Sequence, residues 1–238
     1  MPIQRNINDI ASDIARTGRP AMMIDTCVSL DVIRCVSREN VRIIKIARQL
    51  IEAHEDGEIL LCAHSHMQTE ADRNRSTVRD DARKAAEKVD AVMDLYRSAA
   101  SCLEVERAPD YHHTSVIAPL VALHERLLST CVHVSDTSMW KEAFGRSIAK
   151  RRPAKQGSSE VVDCLMFEEF RSLARAIPKA APLVLFTVNT DDFGDKSQKP
   201  VVVHQELSDD LSGTNAEICL NWDLAAKLVL RKGRLRAI

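Results

Sequence analysis

Ala21-Met22-Met23-Ile24-Asp25-Thr26-Cys27-Val28-Ser29 begins with an apolar run and closes it with an aspartate. A short continuous apolar run bounded by turn residues reads as a strand buried on both faces. Gly18 and Pro20 supply the turn ahead of it, so the segment predicts a strand over 21–25 with Asp25 at its carboxyl end. Working outward, the pattern returns twice. Ile59-Leu60-Leu61-Cys62-Ala63 follows the breaker Gly57, and Val184-Leu185-Phe186-Thr187-Val188 follows Pro182. Elsewhere the spacing is helical: Ile7, Ile10 and Ile14 give one apolar face over 5–16, and Val41, Ile44, Ile46, Ala47 and Ile51 give another after Ser37. Strands alternating with helices predict an α/β fold with a central, mainly parallel sheet flanked by helices.

From Met67 to Leu103 the chain is rich in Ala, Arg, Lys, Glu and Asp, which predicts one or two long polar helices. Asp110 to His113 reads as a loop, with further helices over 115–132 and 137–150. The basic loop Arg151-Arg152-Pro153-Ala154-Lys155-Gln156-Gly157-Ser158-Ser159 leads into a helix over 160–176. Residues 191–200 are turn-rich, 202–210 read as at least partly helical, Ala216 to Leu220 as a strand, and a terminal helix starts at Asp223. The expectation is a single domain over 1–238, with 67–156 a helical insertion or cap within it.

The chain has 238 residues, 45% of them hydrophobic, enough for one large core. Lys and Arg number 33 against 34 Asp and Glu, so any nucleic-acid footprint must be local. An aromatic share of 4% argues against an extended platform for stacked bases. Seven scattered cysteines with no C-x-x-C pair fit reduced thiols better than a disulfide framework or zinc site. No apolar stretch approaches the ~18 residues of a membrane span, and no signal peptide is read at the start. A soluble, cytoplasmic protein without membrane association is expected.

Three segments place carboxylates at strand ends or on a helix face beside apolar residues: Asp25, Asp163 in Val161-Val162-Asp163-Cys164-Leu165-Met166, and Asp191-Asp192 after Asn189. Buried acids repel one another and resist desolvation unless something cationic sits between them. The economical filler is a hard divalent ion such as Mg²⁺ or Mn²⁺, which takes oxygen ligands. Ligands of parallel sheets gather at the carboxyl ends of the strands, where Asp25 and residues 189–192 fall.

These segments, in this order, resemble the PIN-domain nucleases. Met23-Ile24-Asp25-Thr26-Cys27-Val28-Ser29 looks like that family's opening strand with its aspartate and nearby hydroxyl residue. Asp163-Cys164-Leu165-Met166 looks like its helical aspartate, and Thr187-Val188-Asn189-Thr190-Asp191-Asp192-Phe193 like its closing Thr-x-Asn-x-x-Asp-Phe signature. Glu70 is the best positional match to the family's glutamate after the second strand. The resemblance implies Mg²⁺- or Mn²⁺-dependent hydrolysis of single-stranded RNA, with Asp25, Asp163 and Asp192 as inner metal ligands and Glu70 inner or water-mediated. Glu160, one helical turn before Asp163, and Asp191, beside Asp192, are alternative acids. Asn189, Thr26 and Ser29 would orient ligands or water, and Arg73, Arg75, Arg151, Arg152 and Lys155 would hold the phosphate backbone. Many bacterial members are toxins, so a protein inhibitor (an antitoxin) joins RNA among the implied partners, and homo-oligomers stay open.

Each feature also has a plainer reading. Asp25 could cap a helix, Asp163 could pair with an arginine, Asp191-Asp192-Phe193-Gly194 could be turn chemistry, and Glu70 could be a solvated helix acid. His64 with His66, and His112 with His113, lack the spacing of zinc motifs. Cys27 as a nucleophile has no His/Asn arrangement tied to it, and a buried thiol is the simpler state. The rival functions are a catalytically silent PIN-like module that binds RNA or protein, and a flap-type structure-specific DNA nuclease.

Overall fold

The computed structural model describes residues 3–103, 112–135, 138–154 and 161–229. Strand β1 (Ile3–Arg5) leads into α1 (Ile7–Thr17), and β2 (Ala21–Ile24) into α2 (Thr26–Arg34) and α3 (Arg42–Glu55). Next come β3 (Leu60–Ala63) and α4 (Met67–Cys102), then a 3-10 turn (His113–Val116), α5 (Ile117–Thr130) and β4 (Val132–Val134). The chain continues through α6 (Trp140–Ile148), α7 (Val161–Ala176), β5 (Leu183–Phe186) and α8 (Thr190–Phe193). It ends with β6 (Gly194–Asp195), β7 (Val202–Val203), α9 (Gln205–Asp210), β8 (Ala216–Cys219) and α10 (Trp222–Val229).

Six strands form one sheet in the order β1-β4-β3-β2-β5-β8, and every neighbouring pair is parallel. The fold is α/β, as the alternation of elements predicts; β6 and β7 make a separate antiparallel pair. The inner strands Ala-Met-Met-Ile, Leu-Leu-Cys-Ala and Leu-Val-Leu-Phe are buried at every position. This is the pattern of a parallel sheet covered on both faces. Met22, Ile24, Leu61 and Phe186 face a cluster built with α2, α3, α5 and α10. Ala21, Met23, Leu60 and Leu185 face the opposite cluster, with Ile10 and Ile14 of α1 and Phe167 and Phe170 of α7. Burying each of these large side chains contributes roughly 1.5–3 kcal/mol.

Local chemistry sets the ends of α1. Asn6 accepts the backbone N–H of Asp9 at its start, and Gly18 takes the left-handed conformation at its end (φ 64°), donating to the Ile14 carbonyl. Residues 67–102 form one helix of 36 residues, not two. The span 67–156 is not an appendage to the sheet: it supplies β4, which sits between β1 and β3. A strand of three residues, Val-His-Val, sits directly behind α5; the expected helix over 115–132 ends at its first residue, and no strand is expected there.

Strand order places a crevice. The chain runs from β2 outward through β3 and β4, then returns to the other side of β2 for β5 and β8. Connections after β2 and β5 therefore diverge, and the gap above their carboxyl ends is the switch point where open α/β sheets bind ligands. Asp25 follows β2 and Thr187 follows β5, linked by the Asp25 N–H donating to the Phe186 carbonyl at 2.9 Å.

Candidate functional site

A cavity of about 540 Å³ opens at this switch point. Its wall holds Asp25, Glu70, Asp163 and Asp192, together with Thr26, Asn189, Arg73, Arg34 and Asn74. Four carboxylates thus meet two guanidiniums, and the acids arrive from four places: the end of β2, the first turn of α4, the first turn of α7, and α8.

Asp25 is buried and does cap α2, accepting the Cys27 N–H at 3.3 Å. Its other oxygen accepts the Cys27 thiol at 2.8 Å and the Thr187 hydroxyl at 2.6 Å. Burial pushes the Asp25 carboxyl above the usual carboxylate range, against the pull of these donors. The Cys27 thiol is pushed well up by its own burial and by the Asp25 charge. It donates its proton to Asp25, as in the buried-thiol reading.

Glu70 accepts the Thr26 hydroxyl at 2.7 Å. With its proton directed to Glu70, that hydroxyl has a lone pair for His64, whose Nε2 stands 3.0 Å away. His64 follows β3, is buried, and is pushed down to about 3 by burial and by His66 and His133. It is therefore a neutral imidazole that faces the Thr26 hydroxyl through Nε2, and its Nδ1 lies buried with no hydrogen-bond partner among the described residues. Asn189 caps α8, accepting the Asp192 N–H at 3.3 Å and donating its side-chain amide to the Asp192 carboxylate at 2.8 Å. Asp163 stands half-buried in the first turn of α7.

Several residues expected at the site lie elsewhere. Ser29 is fully buried inside α2, its hydroxyl spent on the Thr26 carbonyl at 2.9 Å, so it cannot orient water in the cavity. Asp191 points outward and pairs with Lys196. Arg75 pairs with Asp72 and Glu125 and is absent from the cavity wall. Arg151 is held by Glu206 at 3.0 Å and Asp210 at 2.9 Å, and Arg152 donates its backbone N–H to Glu206. Neither lines the cavity; α9 holds the Arg151 side chain and the Arg152 backbone. Glu160 and Lys155 lie outside the described residues. Arg34 and Asn74 also line the cavity though no motif points to them; Thr187 and His64, bonded to its acids and to Thr26, each follow a strand's carboxyl end, and Thr187 opens the closing signature.

The histidines do not assemble either: His66 packs edge-on against Trp140, and His113 pairs with Asp90. Among the described residues no three His, Cys, Asp or Glu side chains stand close enough together to hold an ion as they are placed. In kind, the donors suit a hard divalent ion: four carboxylates and the Asn189 amide oxygen. In spacing they are relaxed, since Asp25, Glu70 and Asp192 each turn an oxygen to a neighbouring donor.

No known protein family, no curated protein and no solved structure matches this chain.

Proposed function

We propose that the protein is a Mg²⁺- or Mn²⁺-dependent nuclease of the PIN-like kind, cutting single-stranded RNA. One observation carries the reading: Asp25, Glu70, Asp163 and Asp192 line a single cavity at the switch point of a parallel sheet. A bound divalent ion there supplies Lewis acidity toward a phosphodiester and toward an attacking water. Asp25, Asp163 and Asp192 are the residues to hold it, with Glu70 inner or through water. Thr26 fixes the Glu70 carboxylate by donating to it, and Asn189 fixes Asp192 in the same way. Arg34 and Arg73 give the wall its positive charge and would hold the backbone phosphates.

A cleavage assay tests this directly, with wild type and Asp163→Asn on mixed single-stranded RNAs in Mn²⁺, Mg²⁺ or EDTA. Cutting by wild type alone, abolished by EDTA, is the expected result. Equal cutting by the variant overturns the site. Single-stranded and branched DNA run in parallel separate a flap-type activity.

A second reading, a silent module that binds RNA or protein, is favoured by the open spacing of the carboxylates. A metal titration followed by melting temperature separates the two. An ion that binds only the folded chain raises the midpoint logarithmically as its concentration climbs above the dissociation constant, whereas the silent module shows no rise.

A further inference from the structure

Helix α4 outruns the body on which it packs. Its buried residues, Met67, Ala71, Val78, Ala82 and Ala86, all lie in its first 20 positions. Val78, Ala82 and Ala86 pack with Leu30 and Ile33 of α2 and with Ile117 of α5. Asp90 accepts the backbone N–H groups of His113 at 2.7 Å and Thr114 at 3.3 Å. Beyond it Val92 is 51% exposed, Leu95 70%, Tyr96 68% and Leu103 73%.

These residues are not scattered. From Val78, Ala82 and Ala85 the apolar positions continue to Val89, Val92, Tyr96, Ala99 and Leu103, alternating steps of four and three residues. That is the 3.5-residue repeat of a coiled-coil seam, whose knobs require the holes of another helix. Below Asp90 the stripe through Val78, Ala82 and Ala86 has its cover in α2 and α5; from Val89 to Leu103 the seam is exposed and has no cover among the described residues.

We propose that the projecting half of α4 is a dimerisation surface, on which a second copy of this chain lays the same helix antiparallel. Self-pairing suits the seam in three ways. Antiparallel alignment sets Val92 against Tyr96, Val89 against Ala99 and Ala85 against Leu103, pairing large with small. The flanking positions hold Ala86, Met93 and Ala100 on one side and Lys88, Leu95 and Cys102 on the other. One lysine per helix then faces a cysteine, and no like charges meet. A parallel partner would bring a second body to the end where α2 and α5 already sit, whereas antiparallel bodies stand apart. Isolated helices under about 12–15 residues are marginal, but this one continues a packed helix, so association does not bear the nucleation cost. Two-fold pairing of one patch with itself is also the commonest closed assembly.

Sedimentation equilibrium of the full chain across a concentration series tests the proposal, with Val92→Glu/Tyr96→Glu alongside. Wild type is expected to approach twice the chain mass while the variant stays at one, with equal helix content by circular dichroism. Wild type that is monomeric throughout overturns the proposal, as does a variant that still dimerises. Should the glutamates disturb the helix, Val92→Ala/Tyr96→Ala preserves helix propensity and is expected to weaken the dimer about tenfold or more. Unchanged association in that pair also overturns it. The alignment is read by oxidation in a Cys102→Ser background. Mixing Val92→Cys chains with Tyr96→Cys chains gives the mixed disulfide if the helices run antiparallel. Val92→Cys chains linked only to themselves would overturn that alignment.

Discussion

Thr187 donates its hydroxyl to Asp25 at 2.6 Å, joining the residue after β5 to the residue after β2 across the switch point. The same oxygen accepts the Asn189 N–H at 3.0 Å. One buried side chain thus orients the first carboxylate of the cavity and the entry into α8, which carries the last.

Thr187→Val removes both bonds and leaves their partners without this one. The expected loss is about 1–3 kcal/mol, the cost of an unsatisfied buried polar group. Urea unfolding measures it. Because the lost bond ends on Asp25, Thr187→Val and Asp25→Asn should be non-additive by about 0.5 kcal/mol or more. Strict additivity would mean that the bond does not couple them.

Asp25→Asn should stabilise the metal-free protein. Burial raises the folded-state carboxyl above its ordinary value of 3.8, so as pH rises past that value the unfolded chain releases its proton first. Wild-type stability therefore falls with rising pH across this window. The asparagine carries no charge to desolvate. In EDTA at neutral pH it is expected to gain about 1 kcal/mol, an advantage that shrinks as pH drops toward 3.8. It should also abolish any rise in melting temperature caused by Mn²⁺. A variant less stable than wild type at neutral pH, with that rise intact, removes Asp25 from the proposed ligand set.

His64 should make the metal-free fold acid-sensitive. Its folded pKa is depressed to about 3 from 6.5, burial being the largest cause. Between these values the unfolded state binds the extra proton, so stability is full above pH 6.5 and falls as pH falls toward 3. The contribution at stake is on the order of several kcal/mol. His64→Gln should flatten this slope in urea midpoints taken from pH 7 down to pH 4 in EDTA. His54, His124, His133 and His204 are also held below the ordinary histidine value, burial being the largest cause in each, and contribute to the residual slope. An identical slope in the variant would show that His64 does not titrate as an isolated buried imidazole.

The sheet was legible because its inner strands are apolar at every position and flanked by breakers, a signal short enough to separate from helix. β1 and β4 were missed for the opposite reason: three residues each, with β4 running straight on from α5. α2 was hidden because it starts on the residue after Asp25, so strand and helix share one apolar run. Asp25, Glu70, Asp163, Asn189 and Asp192 reach one cavity, since strand ends and first helical turns are positions that sequence marks. Ser29, Asp191 and Arg151 do not, since other partners claim them: a carbonyl one turn back, Lys196, and the acids of α9. For Arg151 the competing partners come from α9, more than 50 residues away, and leave no trace in spacing.

Those arginines also separate fold from function. Arg146 is almost wholly buried, donating to Glu168 and Asp210 at 2.5 Å each and to the Arg152 carbonyl, with its guanidinium 4.5 Å from the Phe167 ring centre. Arg151 shares Asp210 but is half exposed. Removing one partner of a buried pair leaves a charge without full compensation, at a cost of about 3–5 kcal/mol. For Glu168 the cost is eased by Arg171, whose guanidinium stands 2.5 Å away. Arg146→Met is therefore expected at the lower end of that range, and Arg151→Ala within about 1 kcal/mol of wild type, as for a solvent-screened pair. Arg146→Met/Glu168→Leu should recover part of the loss, because the orphaned carboxylate goes with its partner. Guanidinium unfolding of the three variants measures this. Equal losses for Arg146→Met and Arg151→Ala would mean that burial does not govern the network. None of the three should alter metal-dependent cleavage once folded, since neither arginine lines the cavity.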